Sequence, residues 1–108
     1  MELVDHIAVL ITVGSDKEAK KIADVLLSER KAACINIIPN VGSLFWWKEQ
    51  LDSAQESLLI VKTKNALLKD IIETIKELHS YEMPEIIALP IIGGNQDYLQ
   101  WIDNEVKI

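Results

Sequence analysis

Apolar positions change their spacing several times along the chain, and each change marks an element. Residues 7–13, Ile-Ala-Val-Leu-Ile-Thr-Val, run apolar and β-branched up to Gly14, which predicts a buried strand. Ser15 and Glu18 have capping-box spacing, and Ala19, Ile22, Ala23, Leu26 and Leu27 recur at helical intervals, so a helix follows and ends near residues 28–30. An extended pattern then covers most of residues 33–48, far longer than the usual strand of about 5–6 residues. Pro39 cannot donate to a sheet ladder and marks an edge or a bulge there, with Asn40 and Gly42 easing the bend.

Residues 47–51 turn the chain into a second strand whose apolar end is 57–63. Asn65 is the expected N-cap of a second helix with its face on Leu67, Leu68, Ile71, Ile72, Ile75 and Leu78. Pro84 enforces an extended lead into a fourth strand at 86–92, closed by Gly93 and Gly94. Asn95 or Asp97 caps a short last helix carrying Tyr98, Leu99, Trp101 and Ile102. The order βαββαβ plus a terminal helix predicts a single α+β domain over residues 1–108, a ferredoxin-like sandwich with a long β2–β3 hairpin.

Composition adds an expectation about assembly. Of 108 residues, 49% are hydrophobic and 26% charged, which leaves little polar cover for a small monomer. Adjacent Trp46 and Trp47 point to opposite faces of a strand, so one enters the subunit's core and the other needs outside cover. A second copy of the chain is the natural source. The net charge of −6 and the scattering of lysines among carboxylates argue against a phosphate-backbone partner. The lone Cys34 fits a reducing cytoplasm, and the first apolar run is too short for a membrane span and lacks a basic start.

Common catalytic signatures, HExxH, CxxC, GxGxxG, GxSxG and the phosphate-binding GKS/T, are absent, and no nucleophile–base pair is recognisable, so an enzyme is not expected. Polar candidates gather in residues 79–85. His79 either complements the end of the second helix or ligates a borderline cation with Glu82 and Glu85. His6 reads as a surface residue and Cys34 as a small buried side chain. Lys62 lies in an apolar strand and calls for a carboxylate, Glu56 or Glu85, unless the strand end is solvated. Tyr98 and Trp101 read as the packing face of the last helix.

Taken in order, residues 32–39 (Ala-Ala-Cys-Ile-Asn-Ile-Ile-Pro), 43–47 (Ser-Leu-Phe-Trp-Trp), 58–63 (Leu-Leu-Ile-Val-Lys-Thr), 79–86 (His-Ser-Tyr-Glu-Met-Pro-Glu-Ile) and 98–102 (Tyr-Leu-Gln-Trp-Ile) resemble the CutA divalent-cation tolerance proteins over the whole chain. The resemblance implies a tight homotrimer in which Phe45, Trp46 and Trp47 reach a neighbouring subunit. It also implies a role in tolerance of divalent metals of the copper class, with weak binding of Cu(II) or a similar ion. Copper-binding members use a thiol in the first strand and paired histidines before the tyrosine; the matching positions here are Ile11 and Leu78, leaving His79. The resemblance extends to PII-like trimers, which gives an alternative: a signalling or scaffold protein holding a small molecule or protein in an intersubunit cleft lined by Trp47, Lys62, Tyr81, Glu85, Tyr98 and Trp101.

Overall fold

The computed structural model describes residues 4–107. The chain runs β1 (His6–Val13), α1 (Asp16–Ser28), β2 (Cys34–Trp47), β3 (Gln50–Lys64), α2 (Leu68–Leu78), β4 (Ile86–Ile91) and α3 (Gln96–Glu105). The four strands form one antiparallel sheet in the order β2-β3-β1-β4. β1 and β2 run parallel with β3 between them, and β3 and β4 run parallel with β1 between them. These are the two interleaved split βαβ units of a ferredoxin-like subunit.

Strand alternation decides what each face buries. Ile7, Val9, Ile11 and Val13 of β1 and Leu59 and Val61 of β3 point to the helix side. There they meet Ala19, Ile22 and Leu26 of α1 and Ile71 and Ile75 of α2, with Ile35 and Ile37 of β2 packed alongside. Each such aliphatic side chain contributes about 1.5–3 kcal/mol when removed from water. The intervening residues form the other face, where Ile38, Ile87 and Leu89 each remain between 43% and 49% exposed.

The helix ends follow local rules in part. Ser15 caps α1 by accepting the Glu18 N–H at 3.1 Å. The reciprocal half of the capping box does not form, because Glu18 turns to residue 80 instead. Asn65 is not an N-cap: it opens a 3-10 turn, Asn65–Leu67, that leads into α2 with no side-chain cap. Asn95 does cap α3, accepting the Asp97 N–H at 2.9 Å.

Helix α3 is held by Ile102, which is fully buried, and by Asp103, which bonds His6 Nε2 at 2.8 Å and lies 3.6 Å from Lys64 Nζ. His6 is therefore a half-buried tie between β1 and α3 and not a plain surface residue. Tyr98 and Trp101 stack on each other at 5.4 Å and stay 41% and 39% exposed; the packing face belongs to Leu99 and Ile102.

The β2–β3 hairpin projects beyond the sheet. Ile38 pairs with Leu58 and Val41 with Glu56, so Pro39 and Asn40 together face the single Ser57. Asn40 adopts φ 59°, the left-handed conformation that such a bulge uses. One extra residue swaps the faces of everything beyond it. The bulge thus places Phe45 and Trp47, each 36% exposed, on the side of Glu56, and leaves Leu44 and Trp46 at 84% and 71% on the other. Neither tryptophan enters the subunit's own core, so both lack the cover that the sequence assigned to one of them.

Candidate functional site

The segment between α2 and β4 is built around His79, whose side chain is fully buried. His79 Nε2 donates to the Thr12 carbonyl at 2.7 Å, and Nδ1 accepts the Tyr81 N–H at 3.0 Å. This pattern fixes the neutral tautomer with its proton on Nε2. Glu18 of α1 grips the next residue, accepting the Ser80 N–H at 2.8 Å and the Ser80 hydroxyl at 2.9 Å. The two contacts pin the segment to the end of β1 and the start of α1.

Tyr81 is the product of that anchoring. Its ring lies 4.7 Å from the His79 ring, and its hydroxyl donates to Glu56 Oε2 at 2.7 Å. Burial, followed by the neighbouring Glu56 carboxylate, pushes the phenol up to about 12, so it remains a donor throughout the physiological range. Glu56 itself is 8% exposed and forms no ion pair with any cation among the described residues.

Between this segment and the hairpin lies an open cavity of about 800 Å³. Phe45, Trp47 and Tyr81 give it aromatic walls, and Asp52, Glu56, Glu82 and Glu85 give it negative charge; among the described residues no Lys, Arg or His lines it. The Thr12 hydroxyl, 3.4 Å from Glu85 Oε1, joins the loop to β1.

The expected site residues divide into two groups. Trp47, Tyr81, Glu82 and Glu85 meet at the cavity. Lys62, Tyr98 and Trp101 sit elsewhere: Lys62 Nζ bonds the Asn36 amide oxygen, and not Glu56 or Glu85. Half-buried Cys34 pairs across the strands with Lys62 and lies near Tyr98, whose phenol is pushed up by burial and then by that thiol. His79 offers no free nitrogen, being neither an exposed helix-end charge nor an open ligand. Among the described residues no three His, Cys, Asp or Glu side chains come together to hold a metal. The donor set present is therefore not that of a resident copper centre, which favours imidazole and thiolate.

Glu56, Glu18, Thr12 and Asp52 are the contributors that sequence reasoning did not place at the site. Glu56 was named only as a carboxylate for Lys62, and Glu18 only as half of a capping box; neither signal pointed to the partners they take, Tyr81 and Ser80.

The CutA1 divalent ion tolerance protein family matches residues 7–105. The chain is 47% identical over 94 residues to the divalent-cation tolerance protein CutA of Thermus thermophilus, covering 87% of this chain and 91% of that one. It is 42% identical over 104 residues to the chloroplastic protein CutA 1 of Oryza sativa, covering 96% of this chain and spanning 59% of the rice protein. The crystal structure of rice CutA1 superposes with a TM-score of 0.93, covering 96% of this chain and 95% of that one. The structure described as the periplasmic divalent cation tolerance protein CutA of Archaeoglobus fulgidus superposes at 0.92 with 40% identity, covering 94% and 99%.

Proposed function

The chain belongs to the CutA1 divalent ion tolerance family, and on that premise we propose that it is a homotrimeric, non-catalytic protein of divalent-cation tolerance that binds its ion weakly. The observation that carries this reading is the engagement of His79. With both ring nitrogens committed to Thr12 and Tyr81, an entering ion meets the carboxylates of Glu82 and Glu85 on an exposed loop. Carboxylates suit hard ions and hold copper-class ions less well than imidazole does, so affinity is low. The same engagement leaves the cavity without a histidine to serve as a general base, which supports binding over catalysis.

The trimer is supported by two uncovered surfaces: the sheet face carrying Ile38, Ile87 and Leu89, and the hairpin bearing Leu44 and Trp46. In such an assembly the Lys62, Tyr98 and Trp101 group of one copy would complete the Trp47, Tyr81 and Glu85 group of another. No helix among the described residues is long and apolar enough to cross a membrane, and the single Cys34 supports a reducing compartment such as the cytoplasm.

Calorimetric titration of Cu(II) and Zn(II) into chelator-stripped protein tests the reading. Weak binding that the double variant Glu82→Gln/Glu85→Gln removes is expected. Tight binding that the double variant keeps and His79→Gln abolishes would overturn it, because the imidazole would then have opened to the metal.

A further inference from the structure

One subunit leaves two opposite charges unmatched on the same face of its sheet. Glu56 is 8% exposed; its Oε2 accepts the Tyr81 hydroxyl and its Oε1 accepts no hydrogen bond. Lys62 is half-buried, and its ammonium bonds the neutral Asn36 amide oxygen but no carboxylate among the described residues. Each is costly to bury until an opposite charge reaches it.

The two cannot meet within one copy. β3 carries them on one face, at positions 56 and 62, with Leu58 and Ile60 between. At about 3.3 Å per residue their Cα atoms lie about 20 Å apart. Two extended side chains with a hydrogen bond between them span about 14 Å at most. The face between is apolar, and Ile38, Ile87 and Leu89 lie on it.

A second copy of the chain is the occupant that fits. A metal ion would match Glu56 and leave Lys62 and the apolar face as they are. An acidic partner would match Lys62 and be repelled by the carboxylates near Glu56. Another copy brings an apolar face with the complementary charge already on it. Such a contact joins different patches of the two copies, so three of them close into a ring. Of the acids at the cavity, Asp52, Glu82 and Glu85 are exposed, and the Thr12 hydroxyl already reaches Glu85. Glu56 is the acid with least water around it, where an opposite charge acts most strongly.

We infer that in the trimer the Lys62 ammonium of each copy bonds Glu56 Oε1 of the next, one ion pair at each subunit contact. Tyr81 aims the carboxylate by holding Oε2. The inference rests on the trimeric reading above and deepens it by naming the pair that fixes how neighbouring copies align.

The test is a double-variant cycle on the full chain: wild type, Glu56→Gln, Lys62→Met and the two combined. The readout is the trimer dissociation constant from sedimentation equilibrium at a fixed urea concentration. Each single variant leaves the opposite charge buried and unmatched, so association is expected to weaken about tenfold or more. The double variant leaves no charge over and is expected to associate no worse than either single one. Losses that multiply in the double variant would overturn the inference, because the residues would then act independently. A crystal structure of the unaltered trimer keeps the question open to decision if a variant fails to fold. Lys62 Nζ is expected within about 4 Å of a neighbour's Glu56; Lys62 on Glu82 or Glu85, or turned to solvent, would overturn the pairing. A wild-type monomer would overturn the trimeric reading itself, whereas a wild-type trimer with multiplying losses overturns this inference alone.

Discussion

The Tyr81 hydroxyl donates to Glu56 Oε2 across 2.7 Å, joining the loop after α2 to the middle of β3. The two residues are 25 positions apart, and both line the cavity. Tyr81→Phe removes the donor and leaves the buried carboxylate with none. The expected cost is about 1–3 kcal/mol, read as a lower urea midpoint with an unchanged slope. A midpoint equal to wild type would show that the bond contributes nothing to folding.

The same phenol makes alkaline stability a signature. Its folded-state pKa is raised from 10.0 to about 12, so the folded chain holds its proton where the unfolded chain has lost it. That stability is fully present below pH 10 and is lost as pH rises through about 12. Urea midpoints between pH 9 and 12 are expected to fall in wild type and to fall less steeply in Tyr81→Phe, a window set by the phenol's shift.

His79 is expected to matter for folding with no metal present. Its substitution by Ala leaves the Thr12 carbonyl and the Tyr81 N–H without partners in a buried site. In buffer containing a chelator, His79→Ala is expected to lose about 2–4 kcal/mol, the sum of two unmade hydrogen bonds at about 1–2 kcal/mol each. Wild-type stability under those conditions would reduce His79 to a dispensable side chain.

The hairpin turn stores strain that substitution can release. Lys48 and Glu49 occupy φ 50° and 66°, left-handed positions normally given to Asn and Gly in a two-residue turn. Lys48→Asn/Glu49→Gly is expected to raise stability by about 1 kcal/mol or more, since a left-handed non-glycine residue costs roughly 1–2 kcal/mol. A lower melting temperature would mean that the Lys48–Trp47 ring contact at 5.8 Å outweighs the strain.

Assembly is tested at both uncovered surfaces. Trp46→Glu and Leu89→Lys each place a charge on an apolar patch while sparing the core cluster. Sedimentation is expected to show a trimer for wild type and smaller folded species for the variants. Trimers of unchanged mass in both would remove these surfaces from the interface.

Much of the fold was legible because its signals are local. Alternation in β1, the helical spacing of Ala19, Ile22 and Leu26, and the caps at Ser15 and Asn95 each depend on residues within a turn or two. Asn65 misled for the same reason: a good capping residue was read by type, while the chain enters α2 through a 3-10 turn.

The candidate site was legible only as a list of residue types. Its chemistry comes from pairs that no spacing relates: Glu18 with Ser80, 62 positions apart, and His79 with Thr12, 67 apart. Glu18 looked like half of a capping box until a distant N–H and hydroxyl competed for it. Lys62 called for a carboxylate and received the Asn36 amide, because the register of β2 on β3 sets Cys34 opposite it and Asn36 two residues along on the same face.

By itself, then, the sequence determined the elements, their order and the family, since periodicity, caps and motif order are properties of neighbouring residues. The tertiary structure alone decided that His79 is a buried strut and not an open ligand. It also decided that Glu56 faces a cavity and that Phe45 and Trp47 line it. The physical reason is that hydrogen-bond partners and burial are set by which surfaces the sheet register and a one-residue bulge bring together, and those are relations between distant segments.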